Sequence, residues 1–296
     1  MKEKPFSKYQ ILANAVMIIW TLAIILPFIL LFMSSITDEN TLVANGYSFF
    51  PKKFSLASYS YIIKSGGQIL KAYGVSIGVT VVGTLLNVLL SALMAYPLSV
   101  KNLPGRNVMM FFVFFTMLFN GGIVPSYIMW TGTFHIKDTI FAQLIPNFLL
   151  SAWNVMMIRT YFTTSIPDGL YEAAEIDGAS QFTIFWKIVL PLGKPILVTM
   201  GTFAGLAYWN DWTNGLYYIV KNTGLYNVQN LLNQMVQNIQ FLTQSSNSNV
   251  TAAASTIPAT GIQMAIAFVA ILPIMLIFPS FQKYYAKGIA LGAVKG

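Results

Sequence analysis

The sequence contains no cysteine, one histidine (His135) and only 9 acidic residues in 296. Without thiols there is no disulfide framework, thiolate metal site or cysteine nucleophile, and the redox compartment is unreadable. A lone histidine in a short connection reads as a surface polar group, and no HExxH metal motif is present. Charge of either sign is scarce: 9% of residues are Asp, Glu, Lys or Arg, against roughly 25% in soluble domains. What fills the chain instead is apolar, at 56%. A soluble fold of this length still exposes a large polar shell and could not hide that surface; a bilayer can. The net charge of +8 comes from scattered lysines and arginines. They form no basic stripe, so nucleic acid is not expected as a partner, whereas cytoplasmic loops and leaflet contact account for such an excess in a membrane protein.

Six segments have the roughly 20 mainly apolar residues that a spanning helix needs: 11–33, 73–98, 107–130, 139–161, 192–213 and 262–283. The expected fold is therefore an all-α polytopic membrane protein. Residues 1–10 form a cytoplasmic N-terminus, 11–33 the first span, 73–283 the main bundle and 284–296 a cytoplasmic tail. The first run follows Lys2, Lys4 and Lys8, but it exceeds the roughly 7–15 residues of a signal core and no small-x-small site follows, so it reads as a retained span. With the N-terminus inside, the cytoplasmic segments hold eleven Lys/Arg and the outer ones six: Lys52, Lys53, Lys64, Lys71, Lys137 and Lys221. That asymmetry puts both termini in the cytoplasm.

No span carries a charge near its middle; Arg159 and Asp211 sit at span ends. Proton- or ion-coupled carriers and voltage sensors usually need such charges. Neutral polar residues do occur, namely Asn87, Asn120, Asn147, Asn154, Asn210 and Gln263. They either line a passage for a hydroxyl-rich solute or bond across helices. Gly74-x-x-x-Gly78, with Ser76, Thr80 and Thr84, makes a small-residue face suited to close helix packing or to a pore wall. At the outer end of the fifth span, Tyr208, Trp209 and Trp212 flank Asn210 and Asp211. Aromatic rings stack on sugar faces and amides bond hydroxyls, but Trp and Tyr also form interfacial belts by default. A phosphate-cradling G-x-x-x-x-G-K-[ST] loop is missing, because Gly193-Lys194 is followed by Pro195 and lacks the earlier glycine. If ATP is used, another chain binds it.

The most informative segment is the cytoplasmic loop 165–191. Pro167 and Asp168 signal a helix start. The helix through Ile176 is too short to span, and Gly178 closes it with a left-handed turn. A second helical stretch then leads to Pro191. Leu170, Ala173, Ala174 and Ile176 make an apolar face beside Asp168, Glu172, Glu175 and Asp177. Such a surface suits docking onto another protein; packing on the chain's own bundle is the alternative.

Glu172-Ala173-Ala174, three residues, Gly178, nine residues, Ile188-Val189-Leu190-Pro191 resembles the EAA loop of ATP-binding-cassette importer permeases, and the fuller pattern is similar to the maltose-type carbohydrate branch. The terminal Lys287–Gly296 also resembles that branch, and Phe119–Tyr127 resembles a subgroup for oligosaccharides derived from polysaccharides. The resemblance implies a type I importer permease in a bacterial plasma membrane: a non-catalytic, multi-pass subunit with no bound cofactor. ATP and Mg would be used by a partner ATPase dimer; the remaining partners would be a second homologous permease, an extracytoplasmic solute-binding protein and lipid. Carried onto this chain, Glu172 becomes the charged contact to the ATPase, Ala173 and Ala174 permit close approach, Gly178 makes the turn with Asp177 beside it among the coupling residues, and Ile188, Leu190 and Pro191 anchor the second helix. The tail residues Gly288, Gly292, Lys295 and Gly296 would suit an extended insert between ATPase subunits. The substrate path would involve Asn120, Tyr208, Trp209, Asn210, Trp212 and Gln263. The polar outer segment 222–260 would contain an amphipathic helix marked by Leu231, Met235, Ile239 and Leu242 and reach toward the binding protein. A non-sugar solute, an autonomous carrier or channel, and a membrane-embedded enzyme are the competing readings; the enzyme lacks catalytic polar pairs.

Overall fold

The computed structural model describes residues 8–64, 66–244 and 259–293. In chain order the helices are α1 (Lys8–Ser35), α2 (Glu39–Asn45), α3 (Ala57–Lys64), α4 (Gly66–Ser99), α5 (Arg106–Leu118), α6 (Ile123–Ile128), α7 (Phe141–Leu144), α8 (Ala152–Ser165), α9 (Asp168–Ile176), α10 (Gln181–Ile184), α11 (Leu190–Leu192), α12 (Lys194–Asn210), α13 (Thr213–Tyr218), α14 (Val228–Gln244) and α15 (Ala259–Ala293). Wider π-helical turns follow α6, at Met129–Thr133, and α10, at Phe185–Val189.

Among the described residues, three helices are long and apolar enough to cross a membrane: α1, α4 and residues 260–277 of α15. Two bent pairs raise the number to five, with bends of 108° between α5 and 123–133 and 78° between 181–192 and α12. The expected span 107–130 breaks because the Asn120 side chain accepts the Gly122 amide at 2.8 Å while Gly122 takes φ 87°. This is a side-chain turn that competes with the helix. The expected span 139–161 is not one helix either. Between α7 and α8 the chain passes Pro146 and a left-handed Asn147 (φ 68°), and α8 restarts under a Ser151 cap that accepts the Asn154 amide.

Irregular backbone inside an apolar environment needs partners from elsewhere in the protein, and they are supplied. Tyr208 Oη donates to Leu144 O (2.8 Å), Asn214 Nδ2 to Pro146 O (3.1 Å) and Asn87 Nδ2 to Phe148 O (2.6 Å). Asn154 in turn donates to Asn87 Oδ1 at 2.7 Å. For these amides, bonding across elements is the role observed.

The chain divides into two compact units, residues up to Ile69 with Leu232–Pro273, and Leu70–Leu231 with the chain from Ile274. In the first, Phe32 meets Phe268 (centroids 4.9 Å) and Ser35 Oγ bonds Tyr59 Oη (2.8 Å). Glu39 caps the start of α15: Oε1 accepts the Thr260 amide (2.9 Å) and Oε2 the Gly261 amide (2.8 Å). A Cβ on Gly261 would lie 2.5 Å from Ser58 Oγ, so glycine is what lets α3 approach that cap. In the second unit, the buried cluster gathers Ala92, Ala95 and Tyr96 of α4, Val155, Ile158 and Phe162 of α8, Ala174 of α9, Phe185 and Val189, and Ile196 and Met200 of α12. Glycines tighten it. At Gly193 a Cβ would fall 2.5 Å from the Phe162 ring, and at Gly83 it would fall 2.4 Å from Tyr208 Cζ.

The glycine-rich tail differs from the extended form expected. Helix α15 continues to Ala293, so Gly288 and Gly292 are helical, while Lys295 and Gly296 lie outside the described residues. The amphipathic helix expected in the polar outer segment is α14, with Leu231 buried; the rest of that segment to residue 258 lies outside the described residues.

Candidate functional site

Helix α9 begins after Pro167 with Asp168 in its first turn, where a carboxylate complements the helix dipole. Its end is closed by two bonds, Ala179 N to Ala174 O (2.9 Å) and Gly178 N to Glu175 O (3.0 Å), around Gly178 at φ 73°. That pairing with a left-handed glycine is the Schellman closure. Ser180 then caps α10, its hydroxyl accepting the Thr183 amide at 3.3 Å. The loop is thus a helical hairpin whose every local bond follows from its own sequence.

The two faces of the hairpin differ. Ala174 is buried, as are Ile184, Phe185 and Val189, and Ile188 and Leu190 pack beside them, so both arms rest on the bundle. Glu172, Ala173, Asp177 and Gly178 are exposed, and so is Pro191. Ile176 is 86% exposed and Phe182 72%. On the exposed face these two apolar side chains stand beside the carboxylates of Glu172, Glu175 and Asp177.

Residues the sequence reading did not single out hold this hairpin. Tyr96 Oη donates to Gln181 Oε1 (2.6 Å), and Gln181 Nε2 donates to Glu175 Oε1 (3.1 Å). The Tyr96 ring stacks on Tyr171 and tilts against Phe185, with centroids at 6.4 and 5.5 Å. Lys101 pairs with Asp168. Nothing local marks Tyr96, whose partner is 85 positions away.

At the other end of α12, the expected substrate-path residues separate. Tyr208 is enclosed, with its hydroxyl engaged as described, and Trp209 is buried with its ring 6.3 Å from Tyr73. Asn210 and Trp212 are exposed, Asn120 is an exposed turn residue, and Gln263 belongs to the other unit. Asp211 turns inward: its Oδ1 accepts Thr213 Oγ1 (2.7 Å) and the amides of Thr213 (3.0 Å) and Asn214 (3.3 Å). Asn227 ties α14 to the same corner, donating to Asp211 O at 2.6 Å. Nearby, Asp138 Oδ1 collects the amides of Val220, Lys221 and Asn222 at 2.7, 2.7 and 3.2 Å. The Lys221 amide leads those bonds in holding the Asp138 carboxyl below the usual carboxylate range. No cluster of three or more His, Cys, Asp or Glu able to hold a metal occurs among the described residues.

Comparisons with known proteins agree with this architecture. The chain is 36% identical over 272 residues to Protein LplC of Bacillus subtilis (strain 168), covering 92% of this chain and 90% of the relative. It is 35% identical over 288 residues to the polygalacturonan/rhamnogalacturonan transport system permease protein YtcP of the same organism, covering 97% and 98%. Among solved structures, it superposes with a TM-score of 0.79 and 26% identity on a chain of a bacterial ABC transporter involved in the import of the acidic polysaccharide alginate, covering 96% of this chain and 100% of that one. Residues 72–291, which hold most of α4 and the whole hairpin, match a family described as the binding-protein-dependent transport system inner membrane component, and the chain belongs to that family.

Proposed function

We propose that this chain is the permease subunit of an ATP-driven importer for an oligosaccharide released from an acidic polysaccharide. The observation that carries the transport role is the hairpin 165–191, anchored by its buried face while Ile176, Phe182, Glu172 and Asp177 stand exposed. In this reading α9 seats in a cleft of an ATPase subunit, with Glu172 and Asp177 meeting basic groups and Ala173 allowing close approach. Closure of the ATPase dimer on ATP draws the hairpins of this chain and of a second permease together and opens the bundle outward; hydrolysis resets it. A solute-binding protein delivers cargo at the outer ends. The chain crosses the membrane six times with both termini cytoplasmic, the broken segments 106–133 and 141–165 each counting as one crossing.

The acidic cargo is supported by two relatives, whose names specify polygalacturonan/rhamnogalacturonan and alginate. It is supported also by the outer loops in this topology. Their carboxylates are engaged within the chain: Asp38 by Lys53 at 3.2 Å, Glu39 by the α15 amides and Asp138 by the 220–222 amides. Six lysines against these three carboxylates leave the outer loops net positive, which attracts anions.

Two measurements test this reading. Purification of the complex carrying Ala173→Trp should lose the ATPase subunits, and retention at wild-type level would refute docking through α9. Trigalacturonate should raise the melting temperature of the cognate binding protein, and a response to neutral maltotriose alone would refute the acidic cargo.

A further inference from the structure

We infer that Tyr96 is a positioning residue that makes α4 and the coupling hairpin move as one body, so that α4 carries the stroke outward; the inference rests on the docking reading above. Besides the return of the chain through Ile166 into α8, two routes lead from the hairpin into the bundle. The covalent route runs through α10, the π turn and α11 into α12, and it bends by 78° at Gly193. A π turn lacks the regular α-helical ladder, and Pro191 and Pro195 each withhold an amide donor around the bend. Such a joint absorbs displacement.

The second route is through Tyr96. Its side chain touches both arms of the hairpin: Tyr171 on α9, Gln181 at the start of α10 and Phe185 on the π turn. Gln181 extends the contact back to Glu175 on α9, so one buried side chain braces a closed set of hydrogen bonds and ring contacts. The exposed Lys101–Asp168 pair lies beside this brace and adds little, since solvent screens such pairs. Beyond Tyr96, α4 is one unbroken helix of 34 residues, with Pro97 confined to its last turn. At a rise of about 1.5 Å per residue it is a rod about 50 Å long.

The far part of the rod is fastened to outer elements. Asn87 holds the irregular stretch at Phe148, Gly83 receives the Tyr208 ring, and Ser76 Oγ accepts the Val228 amide that opens α14 (2.9 Å). A push on α9 delivered to Tyr96 therefore reaches the segments that fold over the outer end of α12. Without the Tyr96 hydroxyl, the Gln181 link is lost, α4 follows the hairpin less closely, and more of the push goes into α8 and the Gly193 joint.

The chain has no cysteine, so paired labels can be introduced into it alone and the complex assembled afterwards with unlabelled partners. Spin labels go at the exposed Trp186 on the second arm, off the docking helix, and at the partly exposed Leu90, in the full complex reconstituted in lipid. With Tyr96 present, one narrow distance is expected both without nucleotide and with ATP and vanadate. In Tyr96→Phe, and separately in Gln181→Leu, ATP and vanadate should broaden or split that distance, and the double variant should be no broader than either single. A distance unchanged in both variants overturns the inference, as does a wild-type distance that itself shifts with ATP and vanadate. A merely structural role would lower the melting temperature without this nucleotide dependence. The Ala173→Trp purification judges docking independently, so failure of the brace and failure of the docking surface are told apart.

Discussion

Gly178 allows the proposed docking role of the hairpin to be tested with its exposed carboxylates, Ile176 and Phe182 left in place. The residue sits at φ 73°, and a Cβ built there meets nothing within 4 Å. Inside the chain, a substitution therefore costs only backbone conformation. For alanine that cost is about 1–2 kcal/mol, which shrinks the population of the closed turn by a factor of about 5–30. Asparagine visits the left-handed region more readily than other residues with a Cβ, and a β-branched residue is strained further. The expected order of vanadate-sensitive ATP hydrolysis and of ATPase retained on the purified complex is glycine, then asparagine, alanine and valine. Apparent affinity should fall with the fraction of chains holding the closed turn. Size and strain predict different orders, because asparagine is larger than alanine yet better tolerated here. Asparagine proving worse than alanine would show that the partner's surface is excluding bulk, and refute the conformational argument. Valine behaving as glycine would show that the left-handed turn is dispensable.

Other consequences can be checked on the purified complex. Gly83→Ala places a Cβ among Cζ, Cε1 and Cε2 of Tyr208, at 2.4–2.7 Å. It should destabilise by about 1–3 kcal/mol in thermal unfolding, and Tyr208→Ala should relieve part of the loss whereas Tyr208→Phe should not. Glu39→Gln removes the charge that accepts two α15 amides and should cost about 1–3 kcal/mol, with faster amide exchange at Thr260 and Gly261 as the local signature. The carboxyl of Asp138 is held below the usual carboxylate range in the fold, so its contribution is present above that range. It is lost as pH falls through the depressed value. Protease sensitivity of the 218–222 segment should accordingly rise at low pH, and Asp138→Asn should abolish that pH dependence.

The hairpin was legible because its instructions are local. Pro167, Asp168 and Gly178 each act within a few residues, and the structure shows a start and a left-handed closure at those positions; the Ser180 cap is equally local but was not singled out. The breaks in the expected spans at 107–130 and 139–161 were not legible, since an apolar stretch of that length has the same composition whether straight or folded back. What stabilises the second break comes from Asn87 and Tyr208, more than 60 positions away, and separation of that kind leaves no periodic trace. Asn120-Gly121-Gly122 did carry a turn signal, masked by the apolar residues around it. The tail shows the opposite conflict: glycine at 288 and 292 weakens a helix, yet α15 runs through both. The polar residues within the spans were visible, but which carbonyl each one serves depends on tertiary placement.

The cap on α15 also bears on where this protein can be cut. The stretch that matches the family begins at residue 72, and a boundary drawn there looks like a natural place to shorten the chain. Yet the first amides of its last helix are held by Glu39, and Ser58 lies against Gly261 in the same cap. A truncated chain would retain the family region in full and still leave Thr260 and Gly261 without their acceptors. The start of the family match and the start of what caps the last helix therefore fall at different residues, and a chain that keeps this cap includes Glu39 and Ser58.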